Sequence, residues 1–276
     1  MDQLEFDFDV PEIDHPARKG KQVGLFVTCL VDLLRPVVGF SSVKLLEDAG
    51  FDVVVPQNQT CCGQSAHHSD DKSDAQDLAR DVIKTFEPYD YIVTPSKSCA
   101  AILQDIYPDL LADDPAWQQR ALQTAKKSFE LITFLHDVAA TERFSSRFQG
   151  SITYHTPCEE QDVPSTDKLA KTLLGKLSLI ELREMNEQTN AAAGPSSSHL
   201  TGTFKKEAHS DTQIPKRIIA AGAGTVLSND MGHLMNLARL LKRDGSAIEV
   251  RHVAEVLADM ADGPAIGEKQ FANRKT

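Results

Sequence analysis

Short apolar runs alternate with amphipathic stretches along most of the chain. Gly24-Leu25-Phe26-Val27 is apolar on both faces, as a buried parallel strand is, and Leu30 to Ala49 then carries helical periodicity that stops at Gly50. Phe51 to Val55 predicts a second strand ended by Pro56. Ala75 to Phe86 predicts an amphipathic helix, Tyr91-Ile92-Val93 a third strand, and Ser98 to Ile106 another helix. The helix from Trp117 to Ser128 and the segment Phe129 to Leu135 close this half. The order then returns: strand Ile152 to His155, helix Leu169 to Leu177, strand Ser178 to Leu182, strand Gly224 to Leu227, helix Leu234 to Lys242. Glu249 to Leu257 mirrors the segment before residue 137.

Strands alternating with helices predict an α/β fold, and two halves in one element order predict duplicated parallel-sheet α/β units with a shared cleft. The expected division is an acidic, mobile lead over residues 1–20, a first repeat over 21–145 and a second over 146–276. Asn186 to Leu200 (NEQTNAAAGPSSSHL) breaks the pattern and is expected to be a mobile loop, being small, polar and turn-rich.

At 276 residues, with 41% apolar and 25% charged positions, the chain is an ordinary globular one. A formal net charge of -11 argues against broad binding to nucleic acid or anionic lipid, which want an excess of Lys and Arg. No apolar run approaches the roughly 20 residues that cross a bilayer, so no direct membrane insertion is expected. The N-terminus lacks the basic and apolar regions of a signal peptide, and a cytoplasmic location is the expectation.

Chemistry enters with five cysteines: Cys29, Cys61, Cys62, Cys99 and Cys158. An odd number with two adjacent, in a reducing compartment, points to metal binding or thiol chemistry and away from structural disulfides. Cys29 and Cys99 each follow a predicted parallel strand, at the end where open α/β sheets build their sites. Cys61 and Cys62 lie in the loop after the second strand, where Gly63 lets the backbone approach a cofactor closely. A thiolate-only set selects iron–sulfur clusters or zinc over hard cations. The long gaps differ from the C-x-x-C knuckles of structural zinc and suit ligands gathered from several strand ends. The bland alternative is four small buried hydrophobes, and a third is a thiol enzyme using the strained Cys61-Cys62 pair. No nucleotide-binding glycine fingerprint follows the first strand, where Val27-Thr28-Cys29-Leu30 stands instead.

The segment VGLFVTCLVDLLRPVVGFSSVKLLEDAGFDVVVPQNQTCCGQ, followed by DYIVTPSKSCAAIL, resembles the CCG-motif (cysteine-rich domain) iron–sulfur family, most closely its lactate-utilisation and heterodisulfide reductase-like branches. The similarity runs over residues 22–260 and weakens between 159 and 225. It implies a cytoplasmic iron–sulfur protein that passes electrons while L-lactate is oxidised to pyruvate, working with a ferredoxin-type iron–sulfur subunit and a third subunit. Cys29, Cys61, Cys62 and Cys99 would hold one cluster of the 4Fe-4S type, beside Gly63.

The second half departs from the family. An HTSCH-like motif stands as His155-Thr156-Pro157-Cys158-Glu159, the second CCG as Ala192-Ala193-Gly194, and a DCGCL-like segment as Asp230-Met231-Gly232-His233-Leu234. Thr201-Gly202-Thr203-Phe204 still marks the intervening turn. Cys158 alone survives of five expected thiolates, so no second cluster is expected; a mononuclear site from Cys158, His155 and His233 is the alternative to a vestigial pocket. His67 and His68 could add an imidazole but are expected to be merely exposed, and His252 to pack at the core edge. Lys205 and Lys206 are expected in a solvated turn. The functional alternative is a non-redox paralogue with zinc or no metal, acting in complex assembly or regulation.

Overall fold

The computed structural model describes residues 20–69, 72–156, 166–185 and 213–268. Each half builds one four-stranded sheet in which every pairing is parallel. β1 (Gln22–Leu25), β2 (Asp52–Val54), β3 (Tyr91–Thr94) and β4 (Ser128–Glu130) lie in the order β2-β1-β3-β4. β5 (Gly150–Tyr154), β6 (Ile180–Leu182), β7 (Thr225–Ser228) and β8 (Glu249–His252) lie as β6-β5-β7-β8. The two orders are the same, so the repeat read in the sequence is a repeat of topology. In each sheet the chain adds a strand on one side and then crosses to the other. That reversal leaves a crevice beyond the carboxyl ends of β1 and β3, and again beyond β5 and β7.

Helices cover the sheets. α1 (Cys29–Leu34) and α2 (Pro36–Asp48) follow β1, and α3 (Gln64–His68) and α4 (Lys72–Phe86) follow β2. α5 (Lys97–Ala101) runs through a π-turn at Ile102–Ile106 into α6 (Tyr107–Leu110), and α7 (Pro115–Lys127) leads to β4. α8 (Leu131–Thr133) continues into a second π-turn, Phe134–Val138. The second half carries α9 (Thr166–Leu174), α10 (Gln213–Ala221), α11 (Met231–Arg243) and α12 (Val253–Leu257).

Several elements differ from the sequence reading. The single helix expected from Leu30 to Ala49 is two, divided at Arg35-Pro36. Proline lacks the N–H that would continue the ladder and drives the preceding residue out of helical geometry, as Arg35 shows with φ -146 and ψ 62. The closing segment Phe129 to Leu135 divides at Glu130, which ends β4 and caps α8 through its side chain. α10 was not foreseen, because Pro215 sits early in it; a first-turn proline is tolerated there. His67 and His68 are half-buried in α3, not merely exposed in a loop. The loop Asn186 to Leu200, Ala192-Ala193-Gly194, the turn at 201–204, Lys205-Lys206, Cys158 and the lead over residues 1–19 lie outside the described residues.

One apolar core runs through both halves, from Val23, Leu25 and Val31 to Val226, Leu234 and Val253. α2 packs on α12 and α8 on α9, so each half lends one helix pair to the seam. A second cluster, including Phe26, Ile83, Phe86, Leu103 and Tyr107, fills the outer face of the first sheet. Gly24 shows how tightly that face is packed: a Cβ there would lie 2.5 Å from Tyr89 Cδ2 and 2.9 Å from Phe86 Cδ1. Gly24→Ala is therefore expected to lower unfolding free energy by about 1–3 kcal/mol through overpacking, read by urea denaturation. An unchanged midpoint would mean that Tyr89 swings away freely. Among the described residues no helix is long and apolar enough to cross a membrane.

Candidate functional site

The crevice beyond β1 and β3 collects four thiols. β1 ends below Cys29, which opens α1; Thr28 caps that helix, its hydroxyl accepting the Val31 N–H at 3.4 Å. β3 ends below Ser96, whose hydroxyl caps α5 and accepts the Cys99 N–H at 3.4 Å. The loop after β2 is tied under β1 by Gln59, which accepts the Val27 N–H at 2.8 Å and donates to Pro56 O at 3.1 Å. That loop carries Cys61 and Cys62 and ends at Gly63, whose φ of 82 lies in the left-handed region and turns the chain into α3. Tyr107 donates to the Cys62 carbonyl at 2.9 Å from beneath.

The sulfurs run inward from the surface. Cys29 is exposed, Cys61 half-buried, and Cys62 and Cys99 are 3% and 7% exposed. Cys61 lies beside both Cys29 and Cys62, close enough to perturb each, and the Cys62 and Cys99 sulfurs lie 3.4 Å apart. Burial raises the Cys29 thiol, with Cys61 adding to the rise. Cys61 is raised by its Cys62 contact and then by burial. At Cys62 the contact with Cys61 lowers, but Cys99 and burial outweigh it and leave the thiol pushed up to about 12. Backbone N–H groups of Leu30, Gly63 and Gln64 work the other way, each toward one sulfur.

That pattern has a chemical meaning. Several thiolates cannot share a half-buried space alone, since each negative sulfur disfavours the next. They can when a positive metal centre sits among them, and the N–H donors then steady the anionic assembly. The donor set is sulfur only, which fits iron–sulfur or zinc and not a hard cation. Among the described residues no group of three or more Cys, His, Asp or Glu side chains is arranged to hold a single metal ion. Cys29, Cys61, Cys62, Gly63 and Cys99 all lie along this one crevice, with the Cys62 and Cys99 sulfurs in contact.

The equivalent crevice beyond β5 and β7 is different. His155 directly follows β5 and His233 lies in the first turn of α11; their rings stack with centroids 4.8 Å apart, and Nδ1 of His155 lies 2.8 Å from Nε2 of His233. Burial drives His155 down to about 3, with His233 and Arg217 adding to the effect, so its imidazole is neutral near pH 7. Met231, which stands in the segment read as DCGCL-like, is 3% exposed and belongs to the core. His252 was expected at the core edge and is fully buried instead. Its Nδ1 accepts the Ala254 N–H at 3.2 Å, and its Nε2 lies 3.2 Å from Pro95 O.

Sequence reasoning missed the groups that join the halves at this site. Asp230 caps α11 and accepts hydrogen bonds from Ser96 at 3.0 Å and Ser98 at 2.6 Å, both in the Cys99 turn. The S-x-x-C spacing of Ser96 and Cys99 was a readable cap signal. Nothing in the sequence paired Arg35 with Glu255, 220 positions away.

Residues 23–104 match the family described as the CCG cysteine-rich domain. Lactate utilization protein A of Shouchella clausii (strain KSM-K16) is 39% identical over 241 residues, 85% of this chain and 98% of the relative. Its counterpart in Halalkalibacterium halodurans is 37% identical over 242 residues, 86% of this chain and 96% of the relative. That of Geobacillus sp. (strain WCH70) is 37% identical over 237 residues, covering 86% and 98%. The chain belongs to the lactate utilization protein A family and carries its cysteine-rich domain in the first half.

Proposed function

We propose that this protein is an iron–sulfur electron-transfer subunit of a lactate-utilising oxidoreductase. The observation that carries the reading is the line of four thiols at the topological switch of the first sheet, running from exposed Cys29 to buried Cys99. Cys29, Cys61, Cys62 and Cys99 would hold one cluster of the 4Fe-4S type, which when bound stores a single electron. The chain's own contribution is to gather the sulfurs from three loops, to aim N–H groups at them, and to bury the inner pair. Exposed Cys29 leaves one side open to a partner, read as a ferredoxin-type iron–sulfur subunit with a third subunit completing the assembly. Lactate as the reduced substrate rests on the relatives' name. The second half serves as a packed companion: Met231 gives its side chain to the core, and His155 is held neutral against His233.

Anaerobically purified protein is expected to contain iron and inorganic sulfide for one cluster per chain. Cys61→Ser or Cys62→Ser should lose both, together with the visible absorption, while the far-ultraviolet spectrum stays that of a folded α/β chain. Two clusters per chain, or full iron in both variants, contradicts the assignment. Zinc without sulfide would instead establish the non-redox paralogue, with a role in assembly or regulation.

A further inference from the structure

Buried polar atoms gather where the two sheets face each other. Thr94 Oγ1 at the end of β3, Glu130 Oε1 at the end of β4 and Ser228 Oγ at the end of β7 are buried without a hydrogen bond of normal geometry, and Tyr154 Oη at the end of β5 and the Asn229 amide are buried beside them. They belong to one place. Thr94 is in register with Glu130, the Asn229 side chain lies against Glu130, and Tyr154 feels the charges of Glu130 and Asp230. Ser228 is in register with His252, whose ring meets the Asn229 backbone.

The pseudo-repeat puts a titratable N-cap on each side of this seam, Glu130 on α8 and His252 on α12. Both ring nitrogens of His252 are engaged. Glu130 spends only Oε2 on its cap, accepting the Thr133 N–H at 3.0 Å, and Oε1 is left over. A serine or threonine would cap as well without burying a second carboxyl oxygen. The seam also touches the thiol site: α5, which carries Cys99, packs on β4, and its cap Ser96 bonds Asp230. Half-buried Ser98, 2.6 Å from Asp230, joins the seam to the surface.

We propose that Glu130 is the proton-storing residue of the thiol site. An electron arriving there from a one-electron iron–sulfur donor is balanced by one proton moving from solvent to Glu130 Oε1, and both leave on reoxidation. This rests on the electron-transfer reading above. The physical basis is charge balance in a medium of low dielectric: an added negative charge beside a buried carboxylate favours its protonation. Burial holds Glu130 at about 7, against N–H donors of Ile132 and Thr133 and the Asn229 side chain, so the group can change state at ordinary pH. The other ionisable groups around the seam are Tyr154 on β5, Asp167 on α9, Asp230 at the α11 cap, and His252 with Glu255 at α12; α5 adds Lys97 and Cys99. Thr94, Ser228 and Tyr154 bring to the same seam hydroxyls that are each able to donate and to accept.

The test uses anaerobically purified full chain, with iron and sulfide first matched between wild type and variants. Poised at a fixed potential against a mediator couple, the wild-type reduced fraction should fall as pH rises above about 7, by up to about tenfold per unit in reduced-to-oxidised ratio, the limit for one proton per electron. Glu130→Gln should flatten that dependence, and Thr133→Val, which keeps the carboxyl, should retain it. The infrared difference spectrum on reduction by dithionite should gain a protonated-carboxyl band in wild type that is missing in Glu130→Gln. A fully loaded Glu130→Gln protein with the wild-type pH dependence overturns the proposal. So does the absence of a carboxyl band in wild type, which decides the matter even where the variant fails to fold. Wild-type protein without iron and sulfide overturns the electron-transfer reading itself, and this proposal with it.

Discussion

Glu255→Gln is expected to lower the free energy of unfolding by about 3–5 kcal/mol, the usual loss when one member of a buried ion pair is removed. Glu255 is 0% exposed and Arg35 7% exposed. The guanidinium meets the carboxylate with both forks, Nε at 3.1 Å from Oε1 and Nη2 at 2.6 Å from Oε2. Arg35 stands between α1 and α2 and Glu255 in the first turn of α12, so the pair crosses the seam. Gln keeps an acceptor for the His252 N–H, which Glu255 Oε1 now takes at 3.3 Å, but removes the charge. Arg35 would then be a desolvated cation with no counter-ion. Urea denaturation of both proteins measures the difference, and Arg35→Met with Glu255→Leu should recover much of it, because no charge is left buried. A loss below about 1 kcal/mol for Glu255→Gln would mean that water reaches the guanidinium and that the pair does little to join the halves.

Isolated chain supplied with L-lactate and an artificial electron acceptor is expected to show no turnover. Oxidation of a 2-hydroxy acid needs a base for the hydroxyl proton and an acceptor for a hydride or two electrons. The first strand turn, Val27-Thr28-Cys29-Leu30, has no glycine fingerprint for a nucleotide, and Thr28 and Cys29 are committed to a helix cap and to the thiol line. On the function proposed above, a single cluster would take one electron at a time. Activity should therefore appear only when the candidate partner subunits are added. Turnover by the chain alone, abolished by His155→Ala, would make the second crevice a catalytic site and overturn this account.

Much of this protein was legible along the chain. Apolar runs such as Tyr91-Ile92-Val93 and Thr225-Val226-Leu227 marked strands buried on both faces, and their spacing with amphipathic helices implied parallel sheets. The thiol set was legible as well, because cysteines that follow successive parallel strands are carried to one sheet edge by topology alone. The helix break at Arg35-Pro36 is also written in the sequence, in a proline that interrupts an otherwise continuous helical periodicity. Other features depended on the tertiary structure. Whether His155 and His233 meet, whether Glu130 keeps an unpartnered oxygen, and which carboxylate answers Arg35 depend on how the second sheet docks against the first. Local sequence constrains dihedral angles and burial periodicity. Contacts between residues 78 to 220 positions apart depend on side-chain shape at the seam, and no periodicity in either half encodes that shape.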